Sequence, residues 1–269
     1  MGEKQVPVAG GNAMPNLEIE RRGAVLHVTI AREARHNALS RATIAEIDET
    51  FAHHARDADL RAAVLSGAGE RSFAAGGDIR DLEAVRTEAE AAAMSRETRA
   101  AFDRIRDFPV PVVAALNGTA LGGGAELAAA CDFRVAAAHA RIGFIQGRMG
   151  LITAWGGGID LCAIVGYQTA LRITLTGQIL GAEEARAIGL VDAVAAEDEA
   201  LDVAVARLLE PIIAQPRPVL AGFKELNRAA RRTAGRAGLE QLETALFART
   251  WVDDAHWDAV EAFNARRKS

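Results

Sequence analysis

Asn117 to Gly157 reads NGTALGGGAELAAACDFRVAAAHARIGFIQGRMGLITAWGG. Three successive glycines, Gly122 to Gly124, lead straight into a helical run whose first turn carries one carboxylate, Glu126. Glycine lets a backbone turn freely and come close to a ligand. The N–H groups that open a helix have no internal partners and sit at the positive end of its dipole. An anionic oxygen held there would have a carboxylate less than one helical turn away. That is the equipment for stabilising an oxyanion and moving a proton beside it.

Working outward, Ala24 to Ile30 (AVLHVTI), Ala62 to Leu65, Val112 to Leu116 (VVAAL) and Phe133 to Ala136 read as strands. Val112 to Leu116 ends in an Asn117-Gly118 turn. Ser40 is a helix cap ahead of the face Ile44, Ile47 and Phe51. A polar helix is expected from about Thr87 to Asp107. The segment GAGERSFAAGGD, closing at Asp78, reads as a glycine-rich loop. Alternating strands and helices predict an α/β fold with crossover connections. Beyond about Ala182 the chain reads as almost wholly helical. Leu201, Val205, Leu208 and Ile212 form one stripe, and Leu239, Leu242 and Leu246 another. These stripes would cover the core or form an oligomer interface. The expected division is a loose tail over 1–15, a core over 16–197 and a helical region over 198–269.

The chain has 269 residues, half of them apolar, and a net charge of −5. One large domain with a sizeable core follows. The acidic balance argues against a nucleic-acid partner. No apolar run of about 18 residues occurs, so no membrane helix is expected. No cationic segment leads into an apolar one at the start, so the expected location is the cytoplasm. Cys131 and Cys162, the only cysteines, read as buried reduced thiols, and no metal-ligand spacing is present. GGGAE lacks the spacing of a dinucleotide fingerprint.

Three blocks carry a family resemblance: Glu33-Ala-Arg-His-Asn-Ala-Leu39, Ser72-Phe-Ala-Ala-Gly-Gly-Asp-Ile79, and Asn117 to Asp132. In that order they resemble the crotonase superfamily, the enoyl-CoA hydratase/isomerase group, over roughly residues 17 to 267. The resemblance implies a superhelix of ββα turns with a helical C-terminal region that forms trimers or pairs of trimers and covers the CoA. It implies an acyl-CoA thioester as substrate, with CoA as part of that substrate and no separate cofactor. It maps the two N–H groups that hold the thioester oxygen onto Gly77 and Gly123. Glu126 matches the first of two hydratase acids, with a proton affinity that burial would raise. Ala34, Arg35, His36 and Ala75 line up with segments bordering the CoA, and Asp78 and Ile79 close the second block. His36 is read as packing within its block, not as a catalyst. Phe263 and Arg266 match C-terminal positions that approach the nucleotide.

The second hydratase acid should fall between Arg141 and Gly150, and Gln146 occupies its place. A glutamine binds water or a carbonyl but cannot cycle a proton. The loop Met149-Gly-Leu-Ile-Thr-Ala-Trp-Gly-Gly157 resembles that of the ethylmalonyl-CoA decarboxylase branch. Decarboxylation of a malonyl-type thioester is therefore an alternative, with Gln146 or Arg148 orienting the departing carboxylate, Glu126 as proton donor and Trp155 as an apolar wall. Hydration, and double-bond isomerisation using Glu126 alone, are the other enzymatic readings. A non-catalytic, RNA-binding role is opposed by the acidic balance and by Glu126.

Overall fold

The computed structural model describes residues 15–231 and 236–266. Apart from Pro15, the expected tail lies outside the described residues. A six-stranded sheet is ordered β1 (Leu17–Arg22), β2 (Val25–Ile30), β3 (Ala62–Gly67), β5 (Val112–Leu116), β7 (Phe133–Ala136) and β10 (Ala193–Val194). β1 and β2 form an antiparallel hairpin, and the remaining pairs are parallel. Beside it runs a four-stranded sheet ordered β4 (Ser72–Ala74), β6 (Thr119–Leu121), β8 (Arg141–Gly143) and β9 (Ile179–Gly181).

The chain passes repeatedly from a strand of the first sheet to one of the second and then into a helix. β3 and β4 lead to α2 (Ile79–Leu82) and α3 (Glu88–Arg106), and β5 and β6 to α4 (Gly123–Ala130). β7 and β8 lead through a 3-10 turn (Gln146–Met149) to α5 (Gly157–Val165) and α6 (Tyr167–Thr176). This is the expected ββα superhelix. The strands of the second sheet escaped the sequence reading because three residues are too few to show a period. β4 thus lies inside the segment read as a glycine-rich loop.

β3 and β5 are buried along nearly their whole length, as parallel strands covered on both faces must be. On one face Leu26, Val28, Leu65 and Ala114 pack with Ile44, Ile47 and Phe51 of α1 (Arg41–His54) and with Phe102 and Ile105 of α3. α1 starts at Ser40, whose hydroxyl accepts the Thr43 N–H. α3 starts at a capping box formed by Thr87 and Glu90. After α7 (Ala182–Ala187), α8 (Leu201–Ile213) seals the other face, setting Val205 and Leu209 against Val64, Val113 and Val135. The expected stripe on α8 is thus core, not only cover. α9 (Arg217–Arg231), α10 (Arg236–Val252) and α11 (Asp254–Arg266) follow. α10 lies along α3, and α11 is tied to the 3-10 turn by His256 Nδ1, which meets the Met149 carbonyl at 2.5 Å. The side chains of Leu239 and Leu242 lie outside the described residues.

Among the described residues no helix is long and apolar enough to cross a membrane.

Candidate active site

Two glycine turns from separate ββα repeats meet at the N-terminus of α4. A Cβ placed on Gly76 would lie 3.7 Å from the Gly123 nitrogen. The first turn is held by the neighbouring block: Leu39 donates to the Gly76 carbonyl, and Asp78 donates to the Leu39 carbonyl. Gly123 is the first residue of α4, where an N–H has no helical partner. Among the described residues neither the Gly77 nor the Gly123 N–H reaches an acceptor. Trp155 lies against both. A Cβ on Gly123 would fall 1.9 Å from Trp155 Cζ3, and one on Gly77 would fall 3.3 Å from Cη2. The indole is 5% exposed and meets Phe102 edge-on at 5.6 Å. Trp155 is therefore wall and core at once.

Glu126 is 2% exposed. Its Oε1 accepts from Gln146 Nε2 (2.9 Å) and the Ala154 N–H (3.3 Å), and its Oε2 from the N–H groups of Trp155 (2.8 Å) and Gly157 (3.0 Å). Four donors match the roughly four lone-pair sites of a carboxylate. Burial, and after it the negative charge of Glu243, push the carboxyl up to about 7 against the pull of the backbone N–H groups. Gln146 thus stands beside Glu126, as the alignment of its block implied. Its Oε1, like Trp155 Nε1, is buried without a hydrogen-bond partner.

Ala34, Arg35 and His36 are exposed on a 3-10 turn and Ala75 is exposed opposite, where its N–H donates to the His36 carbonyl at 3.0 Å. His36 is therefore not a packing residue. Asp78 stands at the N-cap position of α2 without a side-chain cap bond, its carboxylate paired with Arg32 at 2.9 Å, and Ile79 is half-buried. Phe263 is 38% exposed on α11, and the Arg266 side chain lies outside the described residues. Arg148 is exposed and lies along Gly177 at the end of α6, 2.8 Å from where a Gly177 Cβ would be. The expectation that it orients a departing carboxylate loses its geometry.

Two contributors went unread in the sequence. Asn37, at φ 54°, donates to the carbonyls of Ala68 and Ser72 and accepts the Arg32 N–H, locking the first block to the second. Its signal was present, since Asn tolerates the left-handed region. Glu243 had none, being one acid among many in a helical tail.

The sequence profile of the enoyl-CoA hydratase/isomerase family matches residues 20–269. The chain belongs to the enoyl-CoA hydratase/isomerase family. It is 33% identical to a short-chain-enoyl-CoA hydratase of Clostridium acetobutylicum, over 94% of this chain and 96% of that one. It is 34% identical to the carnitinyl-CoA dehydratase of Escherichia coli strain K12, over 79% and 80%. The crystal structure of an enoyl-CoA hydratase from Mycobacterium avium subsp. paratuberculosis superposes with a TM-score of 0.81 at 26% identity, covering 95% of this chain and 99% of that one. The superhelix is thus that of the hydratase/isomerase fold.

Proposed function

We propose that this protein adds water to, and removes it from, a 2-enoyl-CoA thioester. In this reading the N–H groups of Gly77 and Gly123 hold the thioester oxygen, and Glu126 moves the proton. The observation that carries it is a buried carboxyl, pushed up to about 7, three residues along α4 from an unpaired glycine N–H. A group titrating near neutrality both takes and returns a proton at low cost. As negative charge builds on the thioester oxygen, each N–H donor is worth about 3 kcal/mol.

The Glu126 carboxylate is fully occupied at rest. Of its four donors only Gln146 is a side chain. Rotation of the Gln146 amide frees a lone pair on Oε1 for the attacking water, and Gln146 Oε1 accepts that water's second hydrogen. Ala34, Arg35, His36, Ala75, Asp78 and Ile79 border the CoA, with Phe263 and Arg266 reaching toward its nucleotide. Trp155 walls the acyl group. CoA enters and leaves as part of the substrate, and the reading keeps the cytoplasm as its location.

Gln146 favours one second reading, migration of the double bond, which needs a single proton-transfer group. A panel of 2-enoyl, 3-enoyl and malonyl-type CoA esters separates the readings. The conjugated-thioester absorbance of the 2-enoyl ester is expected to fall. Appearance of that absorbance from the 3-enoyl ester alone would favour migration, and CO₂ release from the malonyl ester alone would overturn both. Glu126→Gln is expected to lower turnover by about 10²–10⁴-fold with the fold retained.

For assembly, the reading is a homotrimer or a dimer of trimers. α6 exposes Tyr167, Leu171 and Leu175 at helical spacing, and α9 exposes Val219, Phe223 and Leu226. Unpartnered apolar stripes of this kind mark interfaces. Sedimentation should give a trimer or hexamer mass, reduced by Leu171→Glu, and a monomeric native protein would refute the assembly.

A further inference from the structure

The turn Thr153–Gly157 runs between two buried carboxylates. On one side Glu126 takes the N–H groups of Ala154, Trp155 and Gly157. Gly156, at φ +87°, turns its own N–H the other way, to Glu243 Oε2 at 3.1 Å. The Thr153 hydroxyl donates to Glu243 Oε1 at 2.6 Å. Glu243 stands on α10, 7% exposed, and pairs with Arg99 of α3 at 2.6 Å. Arg99 also donates to the Ala154 carbonyl at 2.8 Å. The clamp leaves no slack, since a Cβ on Gly158 would fall 2.3 Å from Thr153 Oγ1 and 3.3 Å from Glu243 Oε1.

We propose that Glu243 is a positioning residue for Glu126: from the far side of the Thr153–Gly157 turn it fixes the N–H groups that hold the Glu126 carboxylate, and it sets a second negative charge behind them. This rests on the reading of Glu126 as the proton carrier. Glu243 touches the turn and not the reacting atoms.

The physical need is specific. A carboxylate accepting several backbone N–H bonds is ordinarily held well ionised, which suits a structural cap and not a proton carrier. Burial and the Glu243 charge reverse that tendency and bring the carboxyl to about 7. The other charges around the turn are paired. Arg99 pairs with Glu243 at 2.6 Å, and Arg106 of α3 bonds Asp103, Asp160 of α5 and the Trp155 carbonyl. Gln146, from the 3-10 turn, is neutral, and the half-buried Cys162 thiol of α5 is pushed up by burial and then by Glu243. Glu243 is thus the charge that raises the proton affinity of Glu126 from across the turn, and it comes from the helical region outside the three motif blocks.

The test uses the full chain with Glu243→Gln, Glu243→Asp and the double variant Arg99→Gln/Glu243→Gln. The double variant leaves no unpaired guanidinium buried, so it carries the test if the single variant fails to fold. The Glu126 carboxyl is titrated by infrared difference spectroscopy, its band assigned by its loss in Glu126→Gln, and kcat and KM for a 2-enoyl-CoA ester are followed against pH. In Glu243→Gln and in the double variant the Glu126 titration is expected to fall by about one pH unit or more. The kcat limb that it sets should move with it, KM should stay within about twofold, and Glu243→Asp should restore most of the shift. An unmoved Glu126 titration in a folded variant lacking the Glu243 charge overturns the proposal and leaves Glu243 a structural pin. Full activity in Glu126→Gln would instead sink the proton-carrier reading, while the titration would still decide whether Glu243 acts on Glu126.

Discussion

The interior of the six-stranded sheet and the Thr153–Gly157 turn are both buried, by opposite means. Across β3 and β5 the contacts are Ala, Val and Leu against the helices, with no charged side chain on either strand. Around the five residues of the turn, Glu126, Glu243, Arg99, Arg106 and Asp160 are all withdrawn from water. Apolar burial is non-directional and tolerates small changes of shape. Buried charge is costly to desolvate and is offset only by close pairing and full hydrogen bonding. The sheet is therefore a forgiving scaffold, whereas the turn has one geometry that works.

Breaking the turn should have the largest effect. Arg106 bonds Asp160 through two nitrogens, at 2.9 and 2.8 Å, and also holds the Trp155 carbonyl. Arg106→Met removes the guanidinium that bonds Asp103, Asp160 and the Trp155 carbonyl, and denaturant unfolding is expected to show a loss of about 4 kcal/mol. Turnover per folded molecule should drop too, because the turn carries Trp155.

The second effect is the pH dependence that Glu126 imposes beside the turn. Glu126 titrates at about 7 in the folded protein against an ordinary value of 4.5. Below the ordinary value both folded and unfolded chains hold the proton, and the stability is present in full. As pH rises toward about 7 the unfolded chain ionises first and stability falls. Urea unfolding is expected to lose about 3 kcal/mol between about pH 5 and pH 8. Glu126→Gln should flatten that slope, and an equal slope in both proteins would contradict the raised proton affinity.

The smallest effect belongs to the scaffold. Ile47, fully buried on α1 against the sheet, should cost only about 1 kcal/mol as Ile47→Val. The pH profile of kcat should not move. A change in that profile would mean that the apolar scaffold and the turn are not independent.

Much of this was legible in the chain. β5 was readable because a short, wholly apolar run between turn signals has few alternatives. Ser40 announced α1 by cap chemistry. The Gly122–Gly124 turn and the acid Glu126 just inside α4 were readable from local spacing, whereas the pairing of Gly77 with Gly123 came from the resemblance of the three blocks. β4, β6, β8 and β9 were not, since three-residue strands are defined by their partners and not by a period. Trp155 was legible as apolar but not as the ring that presses on both glycines. Arg148 and Gln146 lie two positions apart, yet only Gln146 turns toward Glu126, a difference set by the packing of the 3-10 turn against α6.

From sequence alone came the α/β alternation, the two glycine turns and the acid beside them, because short-range spacing dictates backbone conformation and helix faces. Tertiary structure alone decided that Glu126 sits in a dry site near neutrality, that Trp155 closes over the glycines, and that Glu243 arrives from α10 to share the turn. Desolvation and charge–charge coupling depend on what lies within a few ångströms in space. For this site those neighbours come from α3, α5 and α10, and no local pattern along the chain records their meeting.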